Sequence, residues 1–229
     1  MVEAVGRPCG ANAIAAIAAP KAVPRPATAR AAATLARAFW DDPVVGYIRP
    51  EEGGRLRWLQ VVFGVMVRFC QLYGHAEEAR DFGGVALWVA PEHGHTTVWH
   101  YLRANGVALG LHSPPAVLRR GVRFLAASEA WHRRCVQEPH WYLPFIGVDP
   151  ALQGNGLGTL LMRSVMDEAD RTGLGCYLEA PSERTRRFYE RHAFRVEAEW
   201  TVGRDGPRLW SMVRPPQPRA GARVEGRSR

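Results

Sequence analysis

Residues 140–159 read HWYLPFIGVDPALQGNGLGT, and this passage decides the fold class. Residues 140–149 are apolar on both alternating faces, as expected of a central strand covered on both sides. Pro144 is a misfit there: it lacks an N–H and belongs at a bulge or a strand edge. A helix is predicted over 156–171, with Leu157, Leu161, Val165 and Ala169 on one stripe and Gly173 ending it. Between strand and helix lies a glycine loop. The first amides of a helix have no intrahelical acceptor, and its dipole adds partial positive charge at that end. Glycines let an anion approach this backbone without a Cβ in the way, so the segment from Gln153 to Gly158 reads as an anion cradle.

Spacing narrows which anion. A P-loop needs a lysine after its last glycine, and Thr159 stands there. The dinucleotide fingerprint is met by Gly154 and Gly156 but fails at Thr159, although Glu179 lies downstream where that motif wants an acid. The spacing Q/R-x-x-G-x-G/A fits throughout, with Gln153, Gly156 and Gly158. A tight turn without a ligand is the competing reading; three glycines exceed what such a turn needs.

The rest of the chain sets the frame. Its 229 residues suggest one domain, and 47% hydrophobic with 10% aromatic residues fit a globular core. The formal net charge is +8 and the pI about 9.9, which taken alone suggests nucleic acid. Against that, Lys21 is the only lysine, and Arg214, Arg219, Arg223, Arg227 and Arg229 sit in a Pro/Gly-rich tail that reads as disordered. Arginine forks suit a phosphate-bearing small molecule equally well, so no nucleic-acid partner is expected. Cys9, Cys70, Cys135 and Cys176 form neither a CxxC pair nor a zinc-ligand spacing, so reduced thiols in a cytoplasmic protein and no metal are expected. Residues 11–19 are apolar but short, and 56–73 are interrupted by Arg57, Gln60, Gly64 and Arg68; a largely buried helix is expected there, and no membrane span.

Residues 1–20 read as a flexible leader, 21–214 as one domain and 215–229 as a disordered tail. Within the domain a short strand is expected at 21–26 and a helix from an N-cap at Thr28, through Leu35 and Phe39, to the stop Asp41-Asp42-Pro43. A long helix follows at 55–73, a strand at 83–90 ended by Pro91, and helices at 96–111 and 115–137. A second strand is expected at 175–180, then a helix capped by Ser182 and running to His192. Strands 194–203 and 207–214 close a hairpin around Asp205-Gly206.

The glycine loop, the strand CYLEAP, the segment RFYERHAFRV and the ending GPRLWSMVR occur in the order found in the GCN5-related N-acetyltransferases (GNAT), which the chain resembles over about 23–214. The segments GGVALWVAPE and EPHWYL are most similar to puromycin N-acetyltransferase-like members. The resemblance implies a mixed α/β fold: a mostly antiparallel sheet, one splayed parallel strand pair, and helices on both faces. It implies acetyl-CoA as co-substrate, its pantetheine lying between strands 140–148 and 175–180. Phe145, Ile146, Gly147 and Val148 would bond the pantetheine amides like an added strand. Gln153, Gly154, Asn155, Gly156, Leu157, Gly158 and Thr159 would hold the pyrophosphate.

Acetyl transfer to an amine needs a group to take the amine's proton, a donor for the developing oxyanion and an acid for the thiolate. Tyr189, in FYERHAF, falls where the family carries a tyrosine near the sulfur, and is the expected acid. The base is left among Glu179 at the end of its strand, His140 at the start of the other, and Asp41 or Asp42 after the first helix, any of which could act through water; Glu179 is counted with the catalytic residues and His140 and Asp42 with the substrate's. The puromycin N-acetyltransferase-like members that the chain resembles carry a tyrosine where Asp42 falls, so a carboxylate there is a departure that would suit a cationic acceptor. Thr185 departs too, where the family often has asparagine for the pantetheine arm. The expected activity is acetylation of a primary amine on a small molecule, an aminonucleoside or other antibiotic, by direct attack in a monomer or homodimer. A protein or peptide amine, and a CoA-binding regulator without catalysis, are the alternatives.

Overall fold

The computed structural model describes residues 18–94 and 98–217. The leader up to residue 17, Cys9, and the tail arginines Arg219, Arg223, Arg227 and Arg229 lie outside the described residues. Strands β1 (Lys21–Ala22), β2 (Gly74–Ala79), β3 (Gly84–Val89), β4 (His140–Val148), β5 (Gly175–Ala180), β6 (Arg195–Thr201) and β7 (Arg208–Arg214) form a seven-stranded sheet in the order β1-β2-β3-β4-β5-β7-β6. β4 and β5 are parallel, and the remaining neighbours are antiparallel. The helices are α1 (Thr28–Ala38), α2 (Pro43–Ile48), α3 (Arg55–Tyr73), α4 (Val98–Arg103), α5 (Val107–His112), α6 (Pro115–Cys135), α7 (Leu157–Thr172) and α8 (Glu183–Glu190).

Alternation along β3 explains the layering. Val85, Leu87 and Val89 enter the core under α1 and α3; Ala86 and Trp88 enter the opposite core under α7 and α8. Every residue of β3 is buried, so its continuous apolar run is what a strand covered on both faces requires. Burying a side chain such as Phe63 or Leu87 stabilises by roughly 2 kcal/mol. α3 lies where the sequence puts it, with Arg57, Gln60 and Arg68 on its exposed positions. Among the described residues no helix is long and apolar enough to cross a membrane.

Three expectations need correction, and one strand is added. β2 is not legible in the sequence: only Ala76 and Ala79 of GHAEEA are buried, and its pairing with β3 from Gly74↔Val89 to Ala79↔Gly84 makes it a strand. The helix expected at 96–111 is broken at Asn105, whose φ of 71° takes the chain out of the helical region before Gly106. Thr28 does not cap α1; a 3₁₀ turn at Arg25–Ala27 runs straight into the helix, and the Thr28 hydroxyl donates back to the Arg25 carbonyl at 2.8 Å. Arg214 is not part of a loose tail. It ends β7, is buried, and donates to both carboxylate oxygens of Asp170 at 2.7 Å.

Candidate active site

Pro144 sits at a bulge, as its missing N–H demands. Leu87 pairs with Phe145 and Val89 with Tyr142, so β4 spends three residues where β3 spends two. The extra residue flips the side-chain alternation. Trp141 and Leu143 before it, and Ile146 and Val148 after it, face the α7 core, while Tyr142 and Phe145 face the other. Pairing between β4 and β5 also ends here, with Leu143↔Leu178 the last partners. Beyond that point the two parallel strands part.

Strand parity assigns the free edge of β4. The Asp149 amide donates to the Gly83 carbonyl at 2.9 Å, toward β3. Backbone groups alternate sides along a strand, so those of Gly147 and Phe145 also point to β3. The amides and carbonyls of Ile146 and Val148 therefore face the gap. The Val148 carbonyl accepts from the Gln153 side chain at 3.2 Å on that side. Phe145 meets Phe39 and Phe63 edge-on, and Gly147 is glycine because a Cβ would come within 2.8 Å of the Ala38 Cβ.

The glycine loop follows. Gly154 and Gly156 have φ of 81° and 78°, left-handed values that favour glycine, and Gly156 precedes the first residue of α7. Gly158 has a packing reason: a Cβ there would stand 3.2 Å from the Phe188 ring of α8. The Leu160 amide is bonded to the Gly156 carbonyl, while the helix-start amides of Leu157, Gly158 and Thr159 lie ahead of the first full turn. Gln153 is exposed and joins α8 to the loop, its Oε1 accepting from Arg184 at 3.0 Å. Asn155 donates to the Leu152 carbonyl at 3.2 Å. His192 was not anticipated. Its Nδ1 donates to the Phe188 carbonyl at 2.8 Å, which leaves Nε2 to accept from the Thr159 hydroxyl at 3.0 Å; burial holds this imidazole toward its neutral form.

Glu179 is the first residue of β5 past the last β4 partner, and it is half-buried. Three hydroxyls serve its carboxylate: Ser128 of α6 at 2.6 Å and Tyr177 at 3.3 Å on Oε1, and Tyr142 of β4 at 2.9 Å on Oε2. Burial raises its pKa above the ordinary glutamate value, and the three donors oppose that rise. The sequence offers no spacing that would have found Ser128. Tyr142 and Tyr177 become legible once the strand faces are assigned.

The other expected residues sit in different surroundings. Tyr189 is buried on α8 between Phe188 and Phe194, and its hydroxyl has no hydrogen-bond partner among the described residues. Burial first, and the Asp42 carboxylate second, push its pKa up. Asp42 caps α2, its Oδ1 accepting from the amides of Val44 at 2.9 Å and Val45 at 3.2 Å; burial outweighs both bonds and raises its pKa to about 6. Asp41 is exposed. His140 is buried at the far, paired end of β4, away from the splay. Its Nδ1 donates to the Glu138 carbonyl at 2.6 Å, so its Nε2 accepts the proton of His132 Nε2, also at 2.6 Å. Thr185 spends its hydroxyl on a capping box with Ser182 at the start of α8. Burial pushes the Cys70 thiol up and that of Cys176 to about 12, consistent with thiols that fill the core. Among the described residues no group of three His, Cys, Asp or Glu side chains is arranged to hold a metal ion.

The Acetyltransferase (GNAT) family matches residues 86–194, the span from β3 to the end of the α8 region. An uncharacterised N-acetyltransferase of Schizosaccharomyces pombe is 27% identical over 197 residues, which cover 82% of this chain and 79% of that protein. A histone acetyltransferase HPA2-related protein of Corynebacterium glutamicum has a similar structure, with a TM-score of 0.59 at 21% identity over 87% of this chain and 96% of that one. A Drosophila melanogaster polyamine N-acetyltransferase that forms N-acetylagmatine superposes with a TM-score of 0.56 at 18% identity, covering 87% of this chain and 99% of its own. Arylalkylamine N-acetyltransferase 2 of Aedes aegypti gives 0.55 at 14% identity, over 88% and 100% of the two chains.

Proposed function

We propose that this chain, an N-acetyltransferase of the GNAT type, transfers the acetyl group of acetyl-CoA to a primary amine of a small molecule, with Glu179 as base. The observation that carries the proposal is the place of Glu179. It is a carboxylate of raised pKa, held by three hydroxyls, at the point where β4 and β5 part. Burial moves this carboxylate toward its protonated form, the direction that strengthens it as a general base.

The residues at the splay suit acetyl-CoA. Ile146 and Val148 turn backbone donors and acceptors into the gap, where an extended amide chain would bond as an added strand. Phe145 and Gly147, by the same parity, shape the wall and do not bond. The loop from Gln153 to Thr159 offers amides at the positive end of a sixteen-residue helix, suited to a pyrophosphate. The Thr185 hydroxyl is engaged in its capping box, so it does not stand in for the asparagine amide that the resemblance would put beside the pantetheine arm.

Bound acetyl-CoA supplies a thioester carbonyl. Glu179 takes the proton from the acceptor's ammonium, directly or through one water, so that the amine nitrogen carries a free pair when the new C–N bond forms. The Ile146 amide is the donor available to the carbonyl oxygen as negative charge builds on it. Tyr189 gives its hydroxyl proton to the sulfur as the C–S bond breaks, and solvent returns to it the second proton that the attacking nitrogen loses as the amide forms. Positioning of the two reactants supplies much of the remaining acceleration. Asp42, charged at neutral pH and near enough to Tyr189 to push up its pKa, favours a cationic acceptor beside that tyrosine. Small cationic amines are what the polyamine and arylalkylamine enzymes of similar fold act on by name. Aminonucleosides such as puromycin belong to the same chemical class and to the resemblance carried by GGVALWVAPE. His140, with both ring nitrogens engaged, holds α6 to β4 and so fixes Ser128 indirectly. The proposal is tested by measuring free CoA thiol released from acetyl-CoA across a panel of amines, with Glu179→Gln as the control.

A further inference from the structure

We infer that a hollow of about 360 Å³ walled by Arg25, Arg68 and Arg103 is a binding site for a small polyanion, a molecule bearing at least two phosphate or carboxylate groups. It stands apart from the acetyl-transfer site and does not rest on that assignment. The three arginines come from different elements: the 3₁₀ turn before α1, the outer side of α3, and the end of α4. Among the described residues none of the three has a carboxylate within salt-bridge distance, and no acidic residue lines the hollow. The sequence shows why. The 3₁₀ turn Arg25–Ala27 and the helices α1, α3 and α4 contain no Asp or Glu at all.

Three guanidinium groups around one hollow repel one another, and an anion shared between them removes that repulsion while accepting paired N–H bonds. The hollow also lies at the N-terminal end of α1, where Thr28 and Gln71 form its floor and are held to each other and to the Val23 and Arg25 carbonyls. The floor is therefore fixed, and the arginines are the adjustable part. Leu72, half exposed, adds an apolar patch to the rim. A half-open hollow of this size admits a compact molecule; a nucleic-acid backbone would want cations along a ridge. The glycine loop is elsewhere: Asp149, just before it, is bonded to Arg37 in the last turn of α1, whereas the hollow lies at the first turn, about 16 Å away along an eleven-residue helix.

Isothermal titration with inorganic pyrophosphate and with citrate, each with and without saturating CoA, tests the site. One saturable binding event per chain that survives CoA is expected, with preference between the probes telling phosphate from carboxylate ligands. Arg68→Ala or Arg103→Ala should weaken it about tenfold each, the loss of a charged hydrogen-bond pair. Arg119→Ala, an exposed arginine outside the hollow, should leave it unchanged. CoA affinity retained in each variant reports that the fold is intact. Absence of saturable binding under CoA, equal loss in Arg119→Ala, or tighter binding of a short DNA duplex than of either probe would overturn the inference.

Discussion

The hydroxyl of Ser128, on α6, donates to Oε1 of Glu179, on β5, across 2.6 Å. A helix inserted between β3 and β4 thus reaches over the sheet to hold the carboxylate at the mouth of the splay. That bond stabilises the charged form of Glu179, against burial, which favours the neutral one. Ser128→Ala should raise the Glu179 pKa further and move the acid limb of the kcat/KM pH profile to higher pH. Glu179→Gln should lower kcat/KM by about 10²–10⁴-fold and remove that limb. An acid limb left in place by Glu179→Gln would assign the base elsewhere.

Tyr189→Phe separates chemistry from folding. The hydroxyl has no hydrogen-bond partner among the described residues, so the variant should match the parent in Tm and in acetyl-CoA Kd. Its kcat should fall about 10²-fold if the hydroxyl protonates the leaving sulfur. Rapid-quench turnover together with thermal melting checks both halves; unchanged kcat would remove the acid assignment.

Asp42→Asn keeps the cap on α2, since asparagine caps as well as aspartate, but removes the charge. A cationic acceptor should then show a raised KM with little change in kcat, and a neutral amine should show neither. Below pH 6 the parent should drift toward the variant as Asp42 takes up its proton, because burial has raised its pKa to about 6. Initial rates against acceptor concentration between pH 5 and 8 decide the point.

Much of this site is legible in the residues alone. Pro144 marks the bulge, Gly156 the left-handed entry to α7, and Glu179 the end of β5; each is a residue whose own chemistry restricts where it can sit. What sequence patterns miss is carried by contacts between distant elements. β2 becomes a strand only through its partner β3, since GHAEEA has almost no apolar alternation. Ser128 looks like any helix-surface serine until α6 docks on β6 and β7, and His192 like a helix-end histidine until Thr159 meets it. Arg214 reads as tail because prolines follow it, yet its side chain turns back into the protein. The three loop glycines are also less uniform than their spacing suggests, since Gly158 is required by Phe188.

Arg214 and Asp170 form a bidentate pair with little solvent access, 7% and 17% for the two side chains. Replacing Arg214 by Ala leaves an uncompensated carboxylate and should destabilise by about 3 kcal/mol in urea unfolding. The pair lowers the Asp170 pKa, so its contribution is present above the ordinary aspartate value and fades as pH falls through the lowered one. The parent should therefore lose stability on acidification below about pH 4 more steeply than the variant.

The release of free CoA thiol from acetyl-CoA in the presence of a small primary amine tests the central claim most directly. A panel holding puromycin, agmatine and an arylalkylamine should contain at least one amine that accelerates release, with the acetylated amine formed in equal amount and the rate collapsing in Glu179→Gln. A flat panel with acetyl-CoA bound would contradict the small-amine acceptor, and acetyl-CoA that fails to bind at all would contradict the account of the splay and its glycine loop.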